Sequence, residues 1–299
     1  MTTSSRGNRI YINSRAHKSV SNAVLITGTA RSGTSIIGTL VHSFWPVEYI
    51  FEPPLLYGLF PLIRRLDKWE WCYLYETYLY NDFLLDALAG RRLNMNMHDE
   101  SSIFQAKSEE EIEKRLQKGW RAHALMEVAD DSRIVYKMPD IQPYLAKLLD
   151  YYPRMKIIVM SREPETLAGS LRKKGWFTNE ALKARVANWP WKNQRGIAIP
   201  FWVPGSMEET WRDTNEEGRI RIYLEVMNGS SRGPDPVGYD PGESLLKVPY
   251  EDFIADPDAY AQRICEFLGV KYGSITESMV LPRIKAYVKY VGRQGSASD

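Results

Sequence analysis

Short apolar runs alternate along this chain with longer stretches of helical periodicity. Residues 23–27 form the first run, which stops at Gly28 and a segment rich in Gly, Ser and Thr. A helical pattern follows over 34–44. A second strand over 47–51 ends at Glu52-Pro53-Pro54, since a proline pair breaks regular structure. Residues 55–125 carry helical periodicity and many aromatics, with a charged, exposed helix over 109–119. Strands are predicted again at 133–137, 156–160 and 244–249, and helices at 141–151, 163–173 and 256–268. Pro257 and Gly269 bracket the last helix by the Pro-start, Gly-stop asymmetry.

Strands that are apolar throughout, each followed by a helix, predict an α/β fold. Its central parallel sheet is flanked by helices in three layers. Residues 1–299 read as one domain, with 1–21 a polar lead-in and 285–299 a tail. Residues 175–212 read as an insertion. They hold Trp176, Trp189, Trp191, Trp202 and Trp211 among prolines and glycines, and offer flat apolar surface for a small-molecule partner.

Composition adds mainly exclusions. The 299 residues are 44% hydrophobic, enough for one large core, and 25% charged. The net charge of +2 gives no reason to expect nucleic acid or an acidic membrane as partner. Any preference for anions must therefore come from local Arg and Lys clusters. Cys72 and Cys265 are too few and too far apart for a disulfide framework and read as buried thiols. His17, His42, His98 and His123 contain no pair at helical ligand spacing, so no metal site is expected. The first residues lack the apolar core of a signal peptide, and no run approaches the roughly 18 residues of a membrane span. The expectation is a soluble, cytoplasmic protein; its oligomeric state has no signal in the sequence.

The chemistry begins at the first strand-to-helix turn. Gly28 to Ser35 (GTARSGTS) has the spacing of a phosphate-binding loop. Glycines let the backbone curl so that several N–H groups face one anion, and the following helix adds the positive end of its dipole. Thr34 stands where a nucleoside triphosphatase carries lysine, and the loop's cation is Arg31. A second constellation follows the 156–160 strand. Arg162 ends that strand, where open α/β sheets bind ligands, and Ser170 lies two turns into the next helix. Both could reach one phosphate. An Arg paired with Glu163 or Glu165 would look the same in sequence.

Together these segments resemble the PAPS-dependent sulfotransferase family, PAPS being 3′-phosphoadenosine 5′-phosphosulfate. The motifs are closest to those of bacterial and carbohydrate sulfotransferases. Phe51-Glu52-Pro53, Lys137-Met138-Pro139, Tyr250-Glu251-Asp252 and the 264–269 segment agree in type and order, so the resemblance spans about 23–270. It implies a P-loop NTPase-like sulfotransferase fold and sulfuryl transfer from PAPS, without a metal, to a hydroxyl of a carbohydrate or other small-molecule acceptor. By the same resemblance Thr29, Ala30, Arg31, Ser32, Gly33, Thr34 and Ser35 hold the 5′-phosphosulfate, and Arg162 with Ser170 holds the 3′-phosphate. Arg31 and Lys137 are suited to the charge that grows on the leaving phosphate.

The acceptor hydroxyl needs a base, and three residues qualify. Glu52 ends the strand beside the loop. His42 lies eight residues into the loop helix and could equally be packed there. Asp140 stands where many bacterial members carry a His. Arg293-Gln294-Gly295 is weakly similar to a segment that grips the 3′-phosphate in cytosolic members. Two other readings remain open at this level: a P-loop kinase or NTPase-like phosphotransferase, and a non-catalytic relative that only binds nucleotide.

Overall fold

The computed structural model describes residues 11–117, 119, 121–184, 192–230 and 241–295. Among these residues nine strands run β1 (Val24–Gly28), β2 (Phe44–Trp45), β3 (Val47–Phe51), β4 (Arg133–Lys137), β5 (Lys156–Ser161), β6 (Lys192–Gln194), β7 (Ile197–Ile199), β8 (Leu245–Pro249) and β9 (Lys271–Tyr272). Five of them form one sheet in the order β3-β4-β1-β5-β8. Every neighbouring pair in it is parallel. The expected α/β architecture is therefore present, and all five predicted strands fall in this sheet. Sequence order reverses beside β1. The chain builds β3 and β4 on one flank, then crosses to β5 and β8 on the other. That is the topological switch point at which such sheets bind ligands.

Burial follows the two-residue period of the strands. Leu25, Tyr136 and Ile157 enter one core, together with aromatics from the 55–90 region. Val24, Ile26, Val135, Ile158, Leu246 and Val248 face a second core on the other side, under the helices Thr34–His42 and Pro257–Leu268. β1 is buried at every position, as its unbroken apolar run predicts. Asp256 caps the Pro257–Leu268 helix by accepting the Ala259 N–H, and Gly269 closes it in the left-handed conformation. Both cysteines are buried free thiols.

Three sequence expectations need correction. The 1–21 lead-in holds a helix, Ser14–Ser21, which Asn13 caps and which buries Ala16 and Val20. Its apolar spacing is short and was masked by polar neighbours. The 285–299 tail continues a helix, Leu281–Gly295, that buries Leu281 and Ile284 against the second core. The side chains of Arg293, Gln294 and Gly295 lie outside the described ones. The 175–212 segment, expected to offer aromatic surface to an acceptor, instead builds a third core. Trp202 and Trp211 are buried there in mutual edge contact, against Phe177 and Tyr223. Trp189 and Trp191 fall outside the described residues.

One buried charge group braces the free edge of the sheet. Glu48 accepts two hydrogen bonds from Arg115, at 2.7 and 2.8 Å, and both side chains are buried. Lys107, also buried, donates to the Val47 carbonyl at 2.7 Å. Burial alone would raise the Glu48 pKa; Arg115 and Lys107 outweigh it and hold the carboxyl below its usual value. Removing one partner of such a pair strands the other charge. Glu48→Ala is expected to lower the free energy of unfolding by about 3–5 kcal/mol, read from urea denaturation. A loss below about 1 kcal/mol would mean that the pair does not brace the edge.

Candidate functional site

Three non-glycine residues adopt positive φ in one region, each just past the end of a strand or inside the turn that follows: Arg31 (74°), Glu52 (41°) and Asp140 (64°). Such conformations cost of order 1–3 kcal/mol each and persist only where the surroundings hold them. All three lie at the C-terminal edge of the sheet, beyond β1, β3 and β4.

The turn after β1 is shaped by two glycines. A Cβ on Gly28, at φ 145°, would sit 2.3 Å from the Met160 carbonyl oxygen; one on Gly33, at φ 91°, would sit 2.5 Å from the Tyr250 ring. The loop backbone is thus clamped between β5 and the Tyr250 ring. The Ser32 hydroxyl donates to the Thr29 carbonyl at 2.6 Å, so it serves the loop's own curvature. Ala30 N–H donates to Asp140 Oδ1 at 2.8 Å and to the Tyr223 hydroxyl at 2.7 Å. Beyond Gly33, the N–H groups of Thr34, Ser35 and Ile36 open the helix and have no acceptor within it, which leaves them to a ligand.

Two clusters of charge flank this loop. On one side, Lys137 ends β4 and is almost fully buried. Its ammonium bonds the Glu52 carboxylate, lies 3.1 Å from Ser35 Oγ and sits 4.0 Å from the Phe51 ring centroid. Tyr57 also bonds the Glu52 carboxylate; burial, and then that charge, hold its phenol far above the usual value. On the other side, Arg31 Nε donates to Ser170 Oγ at 3.3 Å, and its guanidinium faces Trp176 at 5.9 Å. Arg162 donates to the Arg31 carbonyl at 2.9 Å and lies 4.7 Å from the centroid of the Tyr250 ring. Its Nε is buried with no hydrogen-bond partner. Glu163 caps its own helix, through the Thr166 N–H at 2.8 Å, so it is not the partner that would make Arg162 a plain surface pair.

The structure therefore brings together Glu52, Lys137 and Ser35, and separately Arg31, Arg162 and Ser170. Arg31, expected beside Lys137 at the reacting end, points its guanidinium to the Ser170 side. Of the other two base candidates, His42 is buried against Tyr49, ring centroids 5.1 Å apart. Burial, then Lys107 and Arg115, hold its pKa well below the usual histidine value, which makes it a poor base. Asp140 is spent on the loop: its Oδ1 accepts from Ala30 N–H and from the Tyr223 hydroxyl, the latter at 2.5 Å. Tyr223 was not visible as a site residue in sequence. It lies in the helix Glu216–Ser230, far along the chain from the loop, with no motif around it. Among the described residues no group of three or more His, Cys, Asp or Glu side chains is placed to hold a metal ion. No helix among them is long and apolar enough to cross a membrane.

Burial pushes the Asp140 carboxyl up from 3.8 to about 6, against the bonds from Tyr223 and Ala30 that lower it. The folded protein then holds more protons than the unfolded chain between those two values. This group's contribution to stability falls as pH rises through that window. Asp140→Asn mimics the protonated form in charge. Its Tm relative to the parent is expected to be higher at pH 7 than at pH 4, measured by differential scanning calorimetry. A gap that does not change with pH would contradict the burial of that charge.

Comparison with known proteins follows the same region. The model of the Sulfotransferase family matches residues 23–194. No curated protein matches the chain in sequence. Among solved structures, the chain is similar to a sulfotransferase from Alicyclobacillus acidocaldarius, with 18% identity and a TM-score of 0.40, covering 83% of this chain and 81% of that one. It is similar also to the sulfotransferase domain of the Synechococcus PCC 7002 olefin synthase, with 16% identity and a TM-score of 0.39, covering 85% and 75%. A third is a Mycobacterium tuberculosis H37Rv sulfotransferase, with 14% identity and a TM-score of 0.40, covering 87% and 70%.

Proposed function

From the premise that this chain belongs to the sulfotransferase family, we propose that it transfers the sulfuryl group of PAPS to a hydroxyl of a carbohydrate or other small molecule. PAPS is the donor used across the family. The observation that carries the reading is the pair of charge clusters on either side of one anion-binding turn. A donor with phosphate at both ends needs both.

The residues fit the two ends differently. Arg162 offers a buried, unpartnered Nε, and Ser170 and Arg31 already meet beside it. These three suit the 3′-phosphate. The N–H groups of Thr34 and Ser35 at the helix start, with the Lys137 ammonium beside Ser35, suit the 5′-phosphosulfate. Thr29, Ala30, Ser32 and Gly33 support that end chiefly by shaping the turn.

Sulfuryl transfer is an in-line displacement whose loose transition state asks the protein for position and charge, as phosphoryl transfer does. Negative charge grows on the oxygen that bridges sulfur and phosphorus as that bond breaks. Lys137, buried and close to the loop, is placed to stabilise it. Glu52 is the carboxylate nearest that ammonium, and it takes the proton from the acceptor hydroxyl. Their ion pair also keeps a buried ammonium from standing alone.

The test is direct. Sulfation measured with radiolabelled PAPS is expected to fall about 10²–10⁴-fold in kcat for Glu52→Gln. For Lys137→Met the fall expected is about 10²–10³-fold. Glu52→Gln should keep its affinity for 3′-phosphoadenosine 5′-phosphate within a few-fold. A parent that binds this nucleotide yet transfers to no acceptor would favour a binding-only relative. Magnesium-dependent phosphoryl transfer from ATP would favour a kinase.

A further inference from the structure

The transfer reading leaves the acceptor's place open, and the edge of the sheet offers one. A cavity of about 230 Å³ lies along β3, lined by Tyr49 and Phe51 on the strand and by Phe83, Ala87, Asn94 and Ser101 opposite. β3 is the terminal strand of the sheet, so the 83–103 segment covers an edge that no other strand occupies. We propose that this cavity receives the acceptor and limits it to compact, single-ring hydroxyl compounds. The assignment rests on the transfer reading above.

Three connections tie the cavity to the reacting end. Phe51 is a shared wall: it lines the cavity, the Lys137 ammonium sits 4.0 Å from its ring centroid, and Glu52 is the next residue. Thr39, in the helix that starts at the anion-binding turn, donates to the Ser35 carbonyl at 3.2 Å and to the Glu100 carbonyl at 3.1 Å. That hydroxyl links the loop helix to the segment closing the cavity. The Tyr49 side chain, which lines the cavity, packs on the same loop helix: a Cβ on Gly38 would sit 2.2 Å from its hydroxyl. A hydroxyl compound seated there has its ring beside Phe51, the residue that precedes Glu52 and faces the Lys137 ammonium.

Size sets the class. The cavity's volume is about 230 Å³. That suits one six-membered ring with a few substituents. It is smaller than the ≈300–1,000 Å³ common for drug-sized ligands. Tyr49, Phe51 and Phe83 provide flat apolar faces. The Asn94 amide, 2.9 Å from Ser101 Oγ, gives a polar corner for ring substituents. The tryptophan-rich segment does not compete for this role with Trp202 and Trp211, which are buried in its own core.

The test compares acceptors and resizes the cavity in the full chain. Sulfation from PAPS would be measured with 4-nitrophenol and methyl β-glucoside as single rings, 2-naphthol as a fused pair, and estradiol and cellotetraose as large acceptors. The parent is expected to use at least one single-ring compound and neither large one. Ala87→Leu, which fills the cavity, is expected to lower kcat/KM on that compound at least tenfold, with the affinity for 3′-phosphoadenosine 5′-phosphate within twofold of the parent. Leu93→Ala, at the partly exposed rim, is expected to raise relative turnover of 2-naphthol at least threefold. If nucleotide affinity holds but neither variant alters acceptor use, or the parent takes only large acceptors, the cavity assignment is overturned while the transfer reading stands. Absence of nucleotide binding by the parent would overturn both.

Discussion

The end of β4 carries two side chains whose charge must be matched, and the site is organised by how they find partners. Lys137 is buried, and a buried ammonium without a counter-charge is too costly to keep. It bonds Glu52 and reaches Ser35, which fixes the end of β3 and the first turn of the loop helix against β4. Three residues later Asp140 gathers the loop backbone at Ala30 and the helix that carries Tyr223. Three residues with positive φ are held in place by these bonds. Strain that would be unfavourable in isolation becomes a way to shape the strand ends around the anion-binding turn.

The other flank is built on a different principle. Arg162 and Arg31 are neighbours of like charge. They are tolerated because one guanidinium lies against Tyr250 and bonds a carbonyl, while the other faces Trp176 and Ser170. Aromatic faces stabilise cations without neutralising them, so the positive field stays available to an anion. The third core supports this arrangement. Phe177, Trp202 and Trp211 pack around the ring of Tyr223, whose hydroxyl supports the loop. A segment that reads as an insertion is thus a buttress for the anion-binding turn.

Most of the sheet was legible in sequence because its strands are buried on both faces and bounded by Gly, Pro or charge. The predicted ends at Phe51 and Lys137 coincide with the observed ones. The gathering of Gly28, Gly33, Arg162 and Ser170 around one turn was legible too, since they stand at fixed spacings within local strand–turn–helix units. What stayed hidden depends on contacts between distant segments. The Asp140–Tyr223 bond joins residues 83 positions apart, and the bond from Arg115 to Glu48 joins residues 67 apart. No local pattern encodes either. His42 and Asp140 both looked like bases because their residue types qualify. Burial beside Lys107 and Arg115 in one case, and two hydrogen bonds accepted by Oδ1 in the other, give these side chains structural work that residue type alone does not show. Tryptophan in the 175–212 segment misled in the opposite sense, since the same ring serves a core or a ligand and only packing decides.

The central claim is that one anion-binding turn serves a donor with phosphate at both ends. Isothermal titration of the full chain with 3′-phosphoadenosine 5′-phosphate and with 5′-AMP, each with and without magnesium, tests it most directly. The account predicts tight binding of the first that needs no magnesium, at least 100-fold weaker binding of 5′-AMP, and loss of most of that preference in Arg162→Ala. Equal affinity for the two nucleotides, or preference unchanged in Arg162→Ala, would contradict it.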